Sequence, residues 1–296
     1  MNRALAFLLW RRRVNGVRQY WRGLANPRRL LGTVLWLALI SFMVWAQVYA
    51  QRQRGIASPE SAAQVMKMLV AMTMIMSVFG GVVQRGLAFQ PADIDFLFPG
   101  PFTRRSLILY RLCSIYPLAL LSSFFFTVIF GMRVPNHGLA FIGLALAQAV
   151  AVHLQAIAAL VAVTINERVF ARMRRSMQLF ATLVAGLGIV VLMTSMFGGG
   201  TFSDHVREWL ATPVARVIFY PAVAVEELAL ATEFADAMRT ASQLVLFAAG
   251  TLLIAVSLQV RFFEASIETS RRVTRVLALA GRGIPATAGR DAPGAR

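Results

Sequence analysis

"LAFIGLALAQAVAVHLQAIAALVAVTI" occupies Leu139–Ile165 and holds no Asp, Glu, Lys or Arg. A helix rises 1.5 Å per residue, and a bilayer core of about 30 Å needs about 20 apolar residues to cross it. This stretch is long enough to span. Five others qualify: Leu30–Ala50, Val65–Val83, Leu112–Met132, Leu179–Gly198 and Gln243–Val260. The predicted fold is therefore an all-α polytopic membrane protein with six transmembrane helices. Residues 1–29 precede the spans, 30–260 form the transmembrane domain, and 261–296 form a tail.

Composition agrees. The 296-residue chain is 58% apolar, above the one-half typical of soluble domains, and only 15% charged. Its mean hydropathy is +0.64. The net charge of +17 would suit a nucleic-acid binder. Here the basic residues fill the gaps between oily runs, which points to cytoplasmic loops facing anionic lipid instead. With the N-terminus in the cytoplasm and the spans alternating, 23 Lys and Arg residues fall inside and 7 outside. That bias places both termini in the cytoplasm and the protein in the cell's inner membrane.

The N-terminal tail carries its own pattern. Phe7, Trp10, Val14, Val17, Trp21 and Leu24 recur at spacings of three and four. They share one helix face, with Arg11, Arg12, Arg18 and Arg22 off it. The prediction is an amphipathic helix lying in the membrane interface, broken at Asn26–Pro27. Its charges follow rather than precede the first apolar residues, which is not the order of a signal peptide. Between spans five and six, Gly199–Ser242 suggests two short outer helices, Ser203–Ala211 and Ala222–Met238, interrupted by Pro213 and Pro221. They form either a lid packed on the spans or part of a transport path. The tail begins helical and ends in Gly, Pro, Ala and Arg, a composition that resists folding.

Catalytic chemistry is missing from the sequence. There is no GxxxxGK[ST], and the sole lysine, Lys67, falls on the outer side of span two. There is no HExxH, and His137, His153 and His205 have no ligand spacing. Glu226–Glu227 lacks the Arg that an EExxxR motif needs, since position 231 is Ala. The single Cys113 excludes an internal disulfide and a cysteine metal site. The chain is expected to be no enzyme and to hold no cofactor or metal. Within the spans, Gln148, His153 and Gln155 are the candidate path-lining residues, since polar groups at membrane depth are functional candidates. The competing reading gives them interhelical hydrogen bonds.

One polar stretch stands apart. "FQPADIDFLFPGPFTRRSLILYRL" (Phe89–Leu112) links spans two and three on the cytoplasmic side. Asp93 and Asp95 precede Phe96 and Phe98. Pro99-Gly100-Pro101 stiffens a bend, and Thr103 starts a helix through Arg104 and Arg105 into span three. Aromatics, charges and prolines fused to a spanning helix suit a docking point for a motor domain. The bland alternative is a turn.

This segment resembles the one shared by ABC exporter permeases, a branch of the ABC-2 type membrane subunits. Their pattern reads Pro-x-Asp-x-Asp-Phe-Leu-Phe-x-x-Pro, then a basic pair, then Leu-x-x-Tyr. Pro91, Asp93, Asp95, Phe96, Leu97, Phe98, Pro101, Arg104, Arg105 and Tyr110 match it. "FFEASIETSRR" (Phe262–Arg272) is similar to the stretch after a late span in that family. The resemblance implies the permease of a half-transporter that moves a substrate outward. It implies a separate cytoplasmic ATPase, which brings ATP and Mg and docks on the 93–105 segment. It implies a second permease copy or a related permease, surrounding lipid, and no nucleic acid. A non-transport scaffold or sensor is the alternative function.

Overall fold

The structure, a computed structural model, describes residues 58–84, 86–89, 91–130, 134–164, 208–210 and 212–258, with isolated positions between 5 and 49 and between 176 and 186. Most of spans one and five, the C-terminal tail and most of the first outer helix lie outside the described residues. Seven helices are numbered here in chain order: α1 (Pro59–Gln84), α2 (Pro91–Leu97), α3 (Arg104–Phe130), α4 (His137–Thr164), α5 (Pro213–Ile218), α6 (Tyr220–Leu230) and α7 (Phe234–Ser257). Four of them, α1, α3, α4 and α7, are long and apolar enough to cross a membrane.

The helices begin where the sequence supplies a start signal. Ser58 precedes α1 and accepts from the backbone N–H of Ser61 at 3.3 Å, with Pro59 first in the helix and Glu60 in its first turn. Span two thus starts six residues before its oily core at Val65. Thr212 caps α5 by accepting from the Ala215 N–H. Pro213 and Pro221, expected to interrupt helices, instead stand in the first turns of α5 and α6. A proline there loses nothing, because the first N–H groups of a helix have no partner within it.

The expected second outer helix, Ala222–Met238, is corrected to two elements. α6 ends at Leu230, and residues from Phe234 belong to α7, nine residues ahead of the expected start of span six. The break at Ala231–Glu233 is fixed by a distant contact: the side-chain amide of Asn136, in the turn before α4, donates to the Ala231 carbonyl. That carbonyl is thereby held away from helix continuation.

Among the described residues a small apolar cluster of Ala224, Leu228, Ala237 and Leu244 joins α6 to α7, and two larger apolar cores lie at opposite ends of the bundle. One joins the first half of α1, the end of α3, the first half of α4, and α5 and α6, through residues such as Met66, Phe130, Leu144 and Val225. The other joins Leu87, Phe89, Leu97, Leu107, Ile108 and Leu112 to the second half of α4, with Val256 of α7 against them. α1, α4 and α7 therefore run one way through the bundle and α3 runs against them. α4 is the axis. Ala140, Ala147, Ala151, Ala156, Ala159 and Ala162 are buried along it. Small residues let neighbouring backbones approach, which is how helices associate where lipid is as apolar as leucine.

The closest approach is at Gly81 of α1. A Cβ there would overlap the Gln155 carbonyl oxygen and sit 3.0 Å from the Ala158 methyl. At Gly80, by contrast, the nearest atom would be the Gln155 amide nitrogen at 3.9 Å. Gly81→Ala is expected to force α1 off α4 and cost roughly 1–3 kcal/mol. Gly80→Ala is expected to be neutral or stabilising, since alanine favours helix over glycine by up to about 1 kcal/mol. Thermal unfolding of the two variants in detergent checks the contrast.

The N-terminal helix is described at positions 5, 7–11, 13–15 and 18. Phe7, Trp10 and Val14, half of the expected stripe, are exposed, as are Arg11 and Arg18. Leu5 and Leu9 are buried and belong to the second core. Val17, Trp21 and Leu24 lie outside the described residues.

Candidate functional site

The link from α1 to α3 is built in short, fixed steps. Gly86 turns the chain with φ 117°, a left-handed value that glycine adopts without Cβ strain. Leu87, Ala88 and Phe89 then run buried beneath the bundle end. Pro91 opens α2, and Asp93 lies in its first turn, where the helix dipole favours an acid. The bend expected at Pro99–Pro101 is present, and a seven-residue helix not expected from the sequence precedes it.

Two contacts fasten α2 to the bundle. The Tyr110 hydroxyl of α3 donates to Asp93 Oδ1 at 3.1 Å. Phe98 stands edge-on to Phe89, with ring centres 5.3 Å apart. Leu97 is buried beside them. After the helix, the Phe102 N–H donates to the Gly100 carbonyl at 2.8 Å, closing a tight turn centred on Pro101. Thr103 then caps α3 by accepting from the Ser106 N–H at 3.3 Å. The expected helix start at Thr103 is where α3 begins.

The candidate docking residues divide into two groups. Asp95, Phe96, Pro99, Pro101, Arg104 and Arg105 are exposed, Phe96 at 79%. Asp93 and Phe98 are half-buried and face the protein. An aromatic ring held that far out on a fastened helix is available for a partner. Phe98 is occupied in holding the helix down.

The candidate path residues divide as well. His153 is buried and joins three helices. Its Nδ1 lies 3.0 Å from Thr251 Oγ1 of α7, and its Nε2 lies 2.6 Å from the Tyr116 hydroxyl of α3. The Thr251 hydroxyl proton goes to the Ala248 carbonyl at 2.9 Å. Thr251 oxygen therefore accepts, His153 carries its proton on Nδ1, and Nε2 accepts from Tyr116. Every donor in this chain of bonds has an acceptor with the imidazole neutral. Gln155 faces the other way, with its carbonyl against Gly81 of α1. Gln148 is buried. It stands seven residues from Gln155, hence on the same side of α4, and both lie about 140–160° around the helix from His153.

At the opposite end of the bundle, Lys67 Nζ of α1 meets Glu226 Oε2 of α6 at 2.8 Å. The adjacent Glu227 points away and accepts from the Thr240 hydroxyl at 3.1 Å. It lines a crevice of about 500 Å³ between α6 and α7, together with Asp236, Arg239 and Gln243. Tyr220 donates to Gln243 Oε1 there at 2.9 Å. Burial, then the Glu227 carboxylate, push the Tyr220 phenol above its ordinary range, against the pull of Arg239, so it stays a donor. Among the described residues no group of His, Cys, Asp and Glu is placed to hold a metal ion.

The partners Tyr116, Thr251 and Glu226 were not singled out from sequence for these roles. No local pattern signalled them, because each partner lies on another helix.

Residues 2–279 match the family model described as "Putative ABC exporter". No curated protein and no solved structure matches the chain.

Proposed function

The chain belongs to this ABC exporter family, a family of membrane components, and on that premise we propose that it is the permease subunit of an ABC-2 type exporter. A separate cytoplasmic ATPase, supplying ATP and Mg chemistry, docks on α2 and the first turn of α3. Its closure pushes α2, and the substrate leaves through a path formed with a second permease copy or a related permease. The observation that carries this reading is the exposed Phe96 on a helix fastened to α3 by Tyr110–Asp93 and to the core by Phe98–Phe89. A loose loop would absorb a push. A helix with two anchors on a spanning helix and its core transmits it. No lysine is available for a nucleotide P-loop, because the sole one is Lys67, already paired with Glu226.

The reading requires the α2 end of the bundle to face the cytoplasm. The basic residues support that side, with Arg85, Arg104, Arg105 and Arg111 all in or next to the link. Reporter fusions after Arg54, Gly138 and Thr201 are expected to report the outside, and a fusion after Gly100 the cytoplasm. An outside signal at Gly100 would put α2 beyond the reach of any ATPase and end the proposal.

A further inference from the structure

Pro117 sits in the middle of α3. In an α-helix the N–H of residue i bonds the carbonyl of residue i−4, and proline has no N–H. The Cys113 carbonyl therefore loses its partner within the helix. Pro117 and Arg13 are on the outer surface of the bundle, and where lipid surrounds a helix such a group needs another donor. Arg13 of the N-terminal helix supplies it: its Nη2 donates to the Cys113 oxygen at 2.6 Å, across 100 residues of sequence.

Leu5, Leu9 and Arg13 are four residues apart, so they line one face of the N-terminal helix. Leu5 and Leu9 are buried in the core that contains Leu107, Ile108 and Leu112 of α3. The helix thus lies along the lower part of α3, with Arg13 at the proline. The outward stripe of Phe7, Trp10 and Val14 is a different face. Tyr116, next to the proline, ties α3 to α4 and α7 through His153. Tyr110, below it, ties α3 to α2. Both ties stand ahead of Pro117, on the half of α3 that carries α2 and that packs in the core through Leu107, Ile108 and Leu112.

We propose that Arg13 replaces the backbone donor that Pro117 removes, so that the N-terminal helix is a latch on α3 at its proline. The latch then has two states, one with the Cys113 carbonyl held by the arm and one with it released. A proline weakens the helix there, and a charge-assisted hydrogen bond from a separate element restrains it reversibly. Any consequence for coupling to α2 rests on the permease reading. The latch itself does not.

The test is a double-mutant cycle between Arg13 and Pro117 in the purified permease. Maleimide labelling of Leu9→Cys in a Cys113→Ala background reports release of the arm. Arg13→Ala is expected to raise the labelling rate roughly tenfold, as the loss of one charge-assisted hydrogen bond would. Arg13→Lys is expected to restore much of the protection. Pro117→Ala returns a backbone donor to the carbonyl of residue 113, so Arg13→Ala added to it is expected to change labelling less than about twofold. The melting temperature of the chain with its native Leu9 and Cys113 gives the second readout: Arg13→Ala lowers it with proline at 117 and leaves it unchanged with alanine there. An Arg13→Ala effect of equal size in both backgrounds, or none in either, overturns the proposal. Neither readout involves an ATPase, so failure of the latch and failure of the permease assignment are separable.

Discussion

Glu226→Leu is expected to destabilise the bundle by about 3 kcal/mol, and adding Lys67→Met is expected to recover most of that loss. The Lys67 and Glu226 side chains are only 11% and 23% exposed, between α1 and α6 and beside the core that holds Met66 and Val225. Removing the carboxylate leaves an ammonium in that setting with its counter-charge gone. Removing both leaves two apolar side chains of similar reach among apolar neighbours. A buried pair costs little to replace as a pair and much to break. Glu227→Gln serves as the control. Glu227 is exposed and accepts from Thr240, so its loss is expected to stay within about 0.5 kcal/mol. Thermal unfolding of the purified protein ranks the three variants. Equal losses for Glu226→Leu and the double variant would mean that the pair does not hold α6 to α1.

Phe96→Ala is expected to weaken association with the ATPase by about 2 kcal/mol, roughly thirtyfold, while leaving the permease as stable as the parent. The ring is exposed, so its removal opens no cavity in the protein. Phe98→Ala is expected to do the reverse first. Its ring packs on Phe89, and its loss frees the end of α2, lowering the stability of that end before any partner is added. Affinity of the solubilised complex and melting of the permease alone, measured on both variants, separate docking from anchoring. Equal effects of the two substitutions on both measurements would remove the distinction.

The crossing helices were legible because apolar length is a property of the sequence itself. Val65–Val83, Leu112–Met132, Leu139–Ile165 and Gln243–Val260 each coincide with a long helix. Their ends were less legible. α7 starts at Phe234, and in the break before it the Ala231 carbonyl is taken by Asn136, a contact from 95 residues away that no local pattern encodes. Pro213 and Pro221 were legible as interruptions but not as starts: each stands in the first turn of the helix that follows the break. At the candidate site, the alternation of Asp93, Asp95, Phe96 and Phe98 marked the segment but not which members face the protein. Phe98 turned inward because Phe89 lies beneath it. His153 looked isolated along the chain. Its partners, Tyr116 and Thr251, are 37 and 98 residues away. Two glutamines on one side of α4 and the histidine on the other were readable from helical period alone.

The central claim is that Phe96 marks where an ATPase meets the permease. A photo-reactive benzoylphenylalanine at position 96, activated in native membranes, tests it most directly, with position 98 as the inward-facing comparison. The account predicts that position 96 forms an adduct with a chain carrying a GxxxxGK[ST] nucleotide loop, and that position 98 reacts within the permease itself. Adducts from a correctly inserted position 96 with lipid alone, or with proteins lacking that loop, would contradict it.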